Sequence, residues 1–127
     1  MEEVSFMSFT AAKFLGRHVL AEFWGCQGVD NPERVERALV MAAEAAGATV
    51  LQTNLHHFGE GMGVTGVIML AESHLSIHSW PEIEYAAIDV FVCGRADPHL
   101  AITSLKKSFE PTDTKIIEHL RGEREYA

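Results

Sequence analysis

The chain has 127 residues, enough for one domain that buries most of its apolar surface without covalent staples. An apolar content of 47% argues against disorder, and a net charge of −8 argues against nucleic acid or an anionic membrane as partner, since both demand clustered Lys and Arg. Two cysteines, Cys26 and Cys93, make neither a disulfide framework nor a zinc site; with no signal segment and no apolar run near the ~20 residues that span a bilayer, a cytoplasmic protein is expected.

Residues 1–15 have weak periodicity and read as an N-terminal extension with at most a docking role; residues 16–127 read as the single domain. Arg17–Trp24 alternates, with Val19, Ala21 and Phe23 on one face and His18, Leu20, Glu22 and Trp24 on the other, as a strand with one face on a core does. Asp30-Asn31-Pro32-Glu33 is a helix start, and Val35, Leu39, Ala42, Ala43 and Ala46 form its apolar stripe up to Gly47. Ala48–Phe58 is a second strand, ending in the adjacent pair His56-His57. Neighbours on a strand point to opposite faces, so this pair does not chelate one ion, and no metal site is expected.

Gly59–Gly63 lacks the Lys-Ser/Thr of a phosphate loop and reads as a hairpin connection. Val64–Ala71, His74–Trp80 and Tyr85–Cys93 are three further strands, with Pro81–Glu84 turning between the last two. Val64–Ala71 is apolar on both faces, which places it inside the sheet. Asp97-Pro98 opens a second helix with the stripe Ala101, Ile102, Leu105 and Phe109, and Thr114–Leu120 is a last strand. Short loops between the middle strands require antiparallel pairing. The predicted fold is α/β (α+β): a two-layer sandwich, an antiparallel sheet with two helices on one face.

Strand parity then sorts the central residues. Leu75, Ile77, Ile88, Val90 and Val92 belong under the helices. His74, His78, Trp80, Phe91 and Cys93 fall on the face that no helix covers, and a second copy of the chain is the simplest cover for it. Read singly, each residue is ordinary: a satisfied histidine, a small core thiol, an interface indole, a turn serine. Read together, a carboxylate, a serine, two histidines, an indole and a second carboxylate within Glu72–Glu82 point to a site. A Ser–His–Asp hydrolase is compatible with the composition, but no Gly-x-Ser-x-Gly elbow is present.

Glu72-Ser73-His74-Leu75-Ser76-Ile77-His78-Ser79-Trp80-Pro81-Glu82, with Tyr85-Ala86-Ala87-Ile88-Asp89-Val90-Phe91-Val92-Cys93-Gly94, closely resembles the S-adenosylmethionine decarboxylase family in its short prokaryotic form. The likeness runs from about Gly16-Arg17-His18 to the last strand. It implies a precursor that cleaves itself between Glu72 and Ser73 into a β chain, 1–72, and an α chain, 73–127. The Ser73 hydroxyl attacks the Glu72 carbonyl, β-elimination breaks the resulting ester, and Ser73 becomes a pyruvoyl group. That group takes the substrate amine as a Schiff base and serves as electron sink for decarboxylation.

By the same resemblance His78 takes the proton lost in β-elimination, with Thr65, where the family usually has serine, assisting. Cys93 is the proton donor after CO₂ leaves. Trp80 and Phe58 sandwich the adenine, and Glu82 holds the ribose hydroxyls. The Gly59–Gly63 loop is one residue longer than the family pattern beside Phe58. The implied activity is a carboxy-lyase acting on S-adenosylmethionine to give the aminopropyl donor for spermidine biosynthesis, as a homodimer of processed αβ protomers. Two readings compete with it: a pyruvoyl-dependent arginine or ornithine decarboxylase on the same scaffold, and a non-catalytic dimeric binding module.

Overall fold

The computed structural model describes residues 13–125. Most of the N-terminal extension lies outside them; its last residues pair with the other end of the chain, Lys13 N–H donating to the Arg124 carbonyl at 2.9 Å and Leu15 N–H to that of Arg121 at 2.9 Å. The elements follow as β1 (Gly16–Trp24), α1 (Pro32–Ala45), β2 (Val50–His57), β3 (Val64–Leu70), β4 (Ser73–Trp80), β5 (Tyr85–Cys93), α2 (Pro98–Phe109) and β6 (Asp113–Arg121). This is the predicted order, and the boundaries agree to within two residues.

Local chemistry accounts for the ends. The Asn31 side chain accepts the Arg34 N–H at 3.1 Å and Pro32 occupies the first turn of α1. Asp97 caps α2 in the same way, accepting the His99 N–H at 2.9 Å. Gly47 leaves α1 at φ 85°, a left-handed conformation open to glycine at little cost.

The six strands form one antiparallel sheet in the order β2-β3-β4-β5-β1-β6. Both helices pack on one face, so the fold is the expected two-layer sandwich. Between helices and sheet lie Val19, Phe23, Leu39, Ile68, Leu75, Ile77, Val90, Leu105 and Phe109, all fully buried. Each such side chain contributes about 1.5–3 kcal/mol by leaving water, which is what holds the helices to this face.

The placement of β1 and β6 was not legible from loop length. Both helices act as crossovers, which lets β1 insert between β5 and β6. Among the described residues, no helix packs on the opposite face of the sheet. Leu20, Trp24, Val67, Met69, Trp80 and Ile117 are all exposed on it. β3 is interior, as expected, yet Val67 and Met69 on its second face meet no cover among the described residues.

Candidate active site

The β3–β4 hairpin turns through Ala71 and Glu72, with Leu70 paired to Ser73 across it. Glu72 sits at φ 63°, in the left-handed region that a side chain with Cβ enters at a cost on the order of 1 kcal/mol. Neighbouring β5 holds this corner. The Cys93 backbone N–H donates to Ser73 Oγ at 3.2 Å, and the Cys93 thiol donates to the Glu72 carbonyl oxygen at 3.2 Å. One residue therefore contacts both the hydroxyl and the carbonyl that precedes it. Burial pushes the Cys93 thiol up from 9.0, the Ser73 contact works against this, and the Glu72 carboxylate adds to it. At neutral pH the thiol keeps its proton and can donate.

His78 and Thr65 meet elsewhere. They are direct partners across β3 and β4, with Thr65 Oγ1 and His78 Nδ1 3.2 Å apart. Five residues of strand separate His78 from Ser73, or about 16 Å at 3.3 Å per residue. Strand parity also sets Ser73 with Leu75 and Ile77, and His78 on the open face. Within one chain, Glu72, Ser73 and Cys93 form one group and Thr65 and His78 another.

Phe58, Trp80 and Glu82 lie beyond His78 at the same end of the sheet. Phe58 follows β2, its N–H donating to the Gly63 carbonyl at 3.1 Å, and its ring meets His56 edge-on at 4.5 Å. Trp80 ends β4 and Glu82 stands exposed in the tight turn Pro81–Ile83. The Trp80 ring stacks on Tyr85 at 5.4 Å, and the Tyr85 hydroxyl donates to the Glu22 carboxylate. Burial and that carboxylate push the Tyr85 hydroxyl up to about 12, so it remains a donor.

A polar cluster at the middle of the open face was not foreseen. Asp89 accepts from His18 Nε2 at 2.7 Å, from His74 Nε2 at 2.9 Å and from the Ser76 hydroxyl. Arg121 approaches His18 Nδ1 at 3.0 Å. Arginine only donates, so His18 accepts at Nδ1 and carries its proton at Nε2, facing Asp89. The nitrogen and oxygen atoms of His18, His74 and Asp89 lie close enough together to suit a cation, but their hydrogen bonds already satisfy them. Burial raises the Asp89 carboxyl, and the bonds from Ser76, His18 and His74 outweigh it and hold the group below 3.8. Strand parity alone put His18, His74 and Asp89 on one face; their convergence needed the β4–β5–β1 register. The His56-His57 pair divides as parity requires, His56 opposite Thr65 on the open face and His57 opposite Val64 on the helix side.

A serine hydroxyl next to an acyl carbonyl in a left-handed turn, with a thiol donating to that carbonyl, is the equipment of a self-processing enzyme precursor. The family model for S-adenosylmethionine decarboxylase matches residues 17–122. The chain belongs to the S-adenosylmethionine decarboxylase family, whose members are carboxy-lyases. It is 45% identical over 113 residues to an S-adenosylmethionine decarboxylase proenzyme of Thermosipho africanus, covering 87% of this chain and 86% of that one. A proenzyme of the same name from Thermomicrobium roseum is 44% identical over 111 residues, covering 87% and 96%. The crystal structure of the adenosylmethionine decarboxylase from Aquifex aeolicus superposes with a TM-score of 0.78 at 34% identity, covering 87% of this chain and 92% of that one. Among the described residues no helix is long and apolar enough to cross a membrane.

Proposed function

We propose that this chain cleaves itself at Glu72–Ser73 and then decarboxylates S-adenosylmethionine with a pyruvoyl group made from Ser73. The observation that carries this reading is the double contact of Cys93 with the Ser73 hydroxyl and the Glu72 carbonyl. Attack of Ser73 Oγ on the Glu72 carbonyl carbon places negative charge on the oxygen that the thiol already faces. Breaking the C–N bond frees the Ser73 amine and leaves an ester. Loss of the Ser73 α-proton then expels the Glu72 carboxylate and leaves a carbon–carbon double bond. Water replaces the nitrogen, which departs as ammonia, and the pyruvoyl group heads the α chain, 73–127.

Several features fit that group. The Cys93 N–H holds the atom at position 73 in place, and the thiol stands beside it, protonated, to return a proton to the substrate carbon once CO₂ has left. The group itself supplies a carbonyl electron sink for the carbanion. Trp80 and Phe58 take the adenine between them, Glu82 takes the ribose hydroxyls, and aromatic faces attract the sulfonium by about 0.5–2 kcal/mol.

The base for the elimination is His78 with Thr65, and about 16 Å of β4 separates it from Ser73 of its own chain. We therefore read the site as shared between two protomers. The exposed apolar residues of the open sheet face support a symmetric dimer across it. In that dimer the partner's His78 and the partner's Thr65 come to Ser73 and Cys93, and the nucleoside residues come with them. The relatives' names favour the nucleoside substrate over arginine or ornithine. Release of CO₂ from carboxyl-labelled S-adenosylmethionine, and none from labelled arginine or ornithine, is the expected result. Release from an amino acid alone would sink the reading.

A further inference from the structure

Three aromatic rings stand in one row across the open face. Trp24 lies 5.9 Å from Tyr85 with planes 31° apart, and Tyr85 lies 5.4 Å from Trp80 with planes 29° apart. They come from adjacent strands, β1, β5 and β4, so cross-strand pairing brings them together. One face of the Trp80 indole is covered by Tyr85. By the β3–β4 and β2–β3 registers the next position in the row is Gly63 and the one beyond is Phe58.

Gly63 presents no side chain there, because its backbone packs against that of β4. A Cβ on it would stand 2.0 Å from the Ser79 carbonyl oxygen, so no side chain can be placed there without moving β4. Phe58 and Trp80 are thus two strands apart, about 10 Å, over a floor of bare backbone. A flat ring between two others needs about 7 Å from one outer plane to the other. Strand spacing alone leaves room for one aromatic base between the two rings if the Trp80 plane is held upright.

What holds it upright is Tyr85. We propose that Tyr85, tied by its hydroxyl to Glu22 and backed by Trp24, is a positioning residue that fixes the Trp80 indole for the purine ring of the substrate. This rests on the nucleoside reading of Trp80 given above. Tyr85 does not touch the substrate. Its ring denies the indole the rotation that would close the space between the two rings, and the Glu22 carboxylate fixes the Tyr85 ring in turn.

The test measures KM and kcat for S-adenosylmethionine, and the Kd of 5′-methylthioadenosine as a probe of the nucleoside alone. Tyr85→Leu should raise KM and the probe Kd about 3- to 10-fold, with kcat falling less than KM rises. Tyr85→Phe, which keeps the ring and loses the Glu22 bond, should raise both by a smaller factor. Self-cleavage should run to completion in each. A Tyr85 with a merely structural role would lower cleavage and kcat together and leave the probe Kd at the wild-type value, which would overturn the proposal. Trp80→Leu separates the two layers of argument. If it weakens the probe while both Tyr85 variants bind it normally, only the positioning role falls. If it binds the probe normally, the nucleoside reading of Trp80 falls and the proposal with it.

Discussion

The Cys93 thiol lies 3.2 Å from the carbonyl oxygen of Glu72, across a hairpin corner from its own strand. The family resemblance implies a proton donor for turnover at this position. The geometry adds an earlier task, since a donor aimed at the scissile carbonyl assists the attack on it. Cys93→Ala should slow self-cleavage roughly tenfold or more, less than the 10²–10³ of a strong oxyanion donor because a thiol is a weak one. Intact mass against time gives the cleavage rate, and kcat scored on the cleaved fraction gives turnover. Cleavage at the wild-type rate would confine Cys93 to turnover.

The same contact sets a pH dependence. The thiol donates only while protonated, and its folded value lies above 9.0. Self-cleavage should therefore be insensitive to this group through neutral pH and decline as pH rises past its folded value. A cleavage rate still climbing in strong alkali would remove the thiol proton from the step.

The separation of Ser73 from His78 along β4 predicts complementation. Ser73→Ala should remain a single chain of 14.0 kDa, and His78→Ala should cleave very slowly alone. A mixed dimer of the two has one complete site, made of Ser73 from the His78→Ala chain and the partner's His78 from the Ser73→Ala chain. Co-refolding the variants should therefore restore cleavage to the His78→Ala chain only. No gain on mixing would place the whole site within one protomer.

Asp89 predicts an acid-sensitive contribution to stability. Its folded value is lowered, so the stabilisation is fully present above the unfolded value and is lost as pH falls through the folded one. Asp89→Asn should cost roughly 1.5–3 kcal/mol at pH 7, the range for hydrogen bonds to a charged group. Urea unfolding near pH 3 should show wild type and variant drawing together. An unchanged gap at pH 3 would mean the carboxylate charge plays no part.

Much of the fold was readable because burial follows strand parity and helix period. Val19, Ala21 and Phe23 had to face one way along β1, and Asn31-Pro32 and Asp97-Pro98 had to open helices. Parity put Cys93 on the open face with His78 and Trp80 and Ser73 with Leu75 and Ile77, so their meeting at the hairpin corner was not readable. The Asp89 cluster was not either, because His18 and Asp89 are 71 residues apart and meet only through the β1–β5 register. Nor was the Tyr85–Glu22 bond, which depends on the same pairing.

By itself, then, the sequence determined the two-layer sandwich, the helix-free sheet face and the chemistry-bearing segment Glu72–Glu82, because each follows from periodicity or from residue types close in the chain. Only the tertiary structure decided which of those residues meet. It brought Cys93 to both atoms of the Glu72–Ser73 corner and left His78 with Thr65 far along the same strand. The reason is the extended backbone: a strand that lists its residues side by side in sequence carries them about 3.3 Å further apart at each step, so neighbours in the motif cannot all be neighbours in one site.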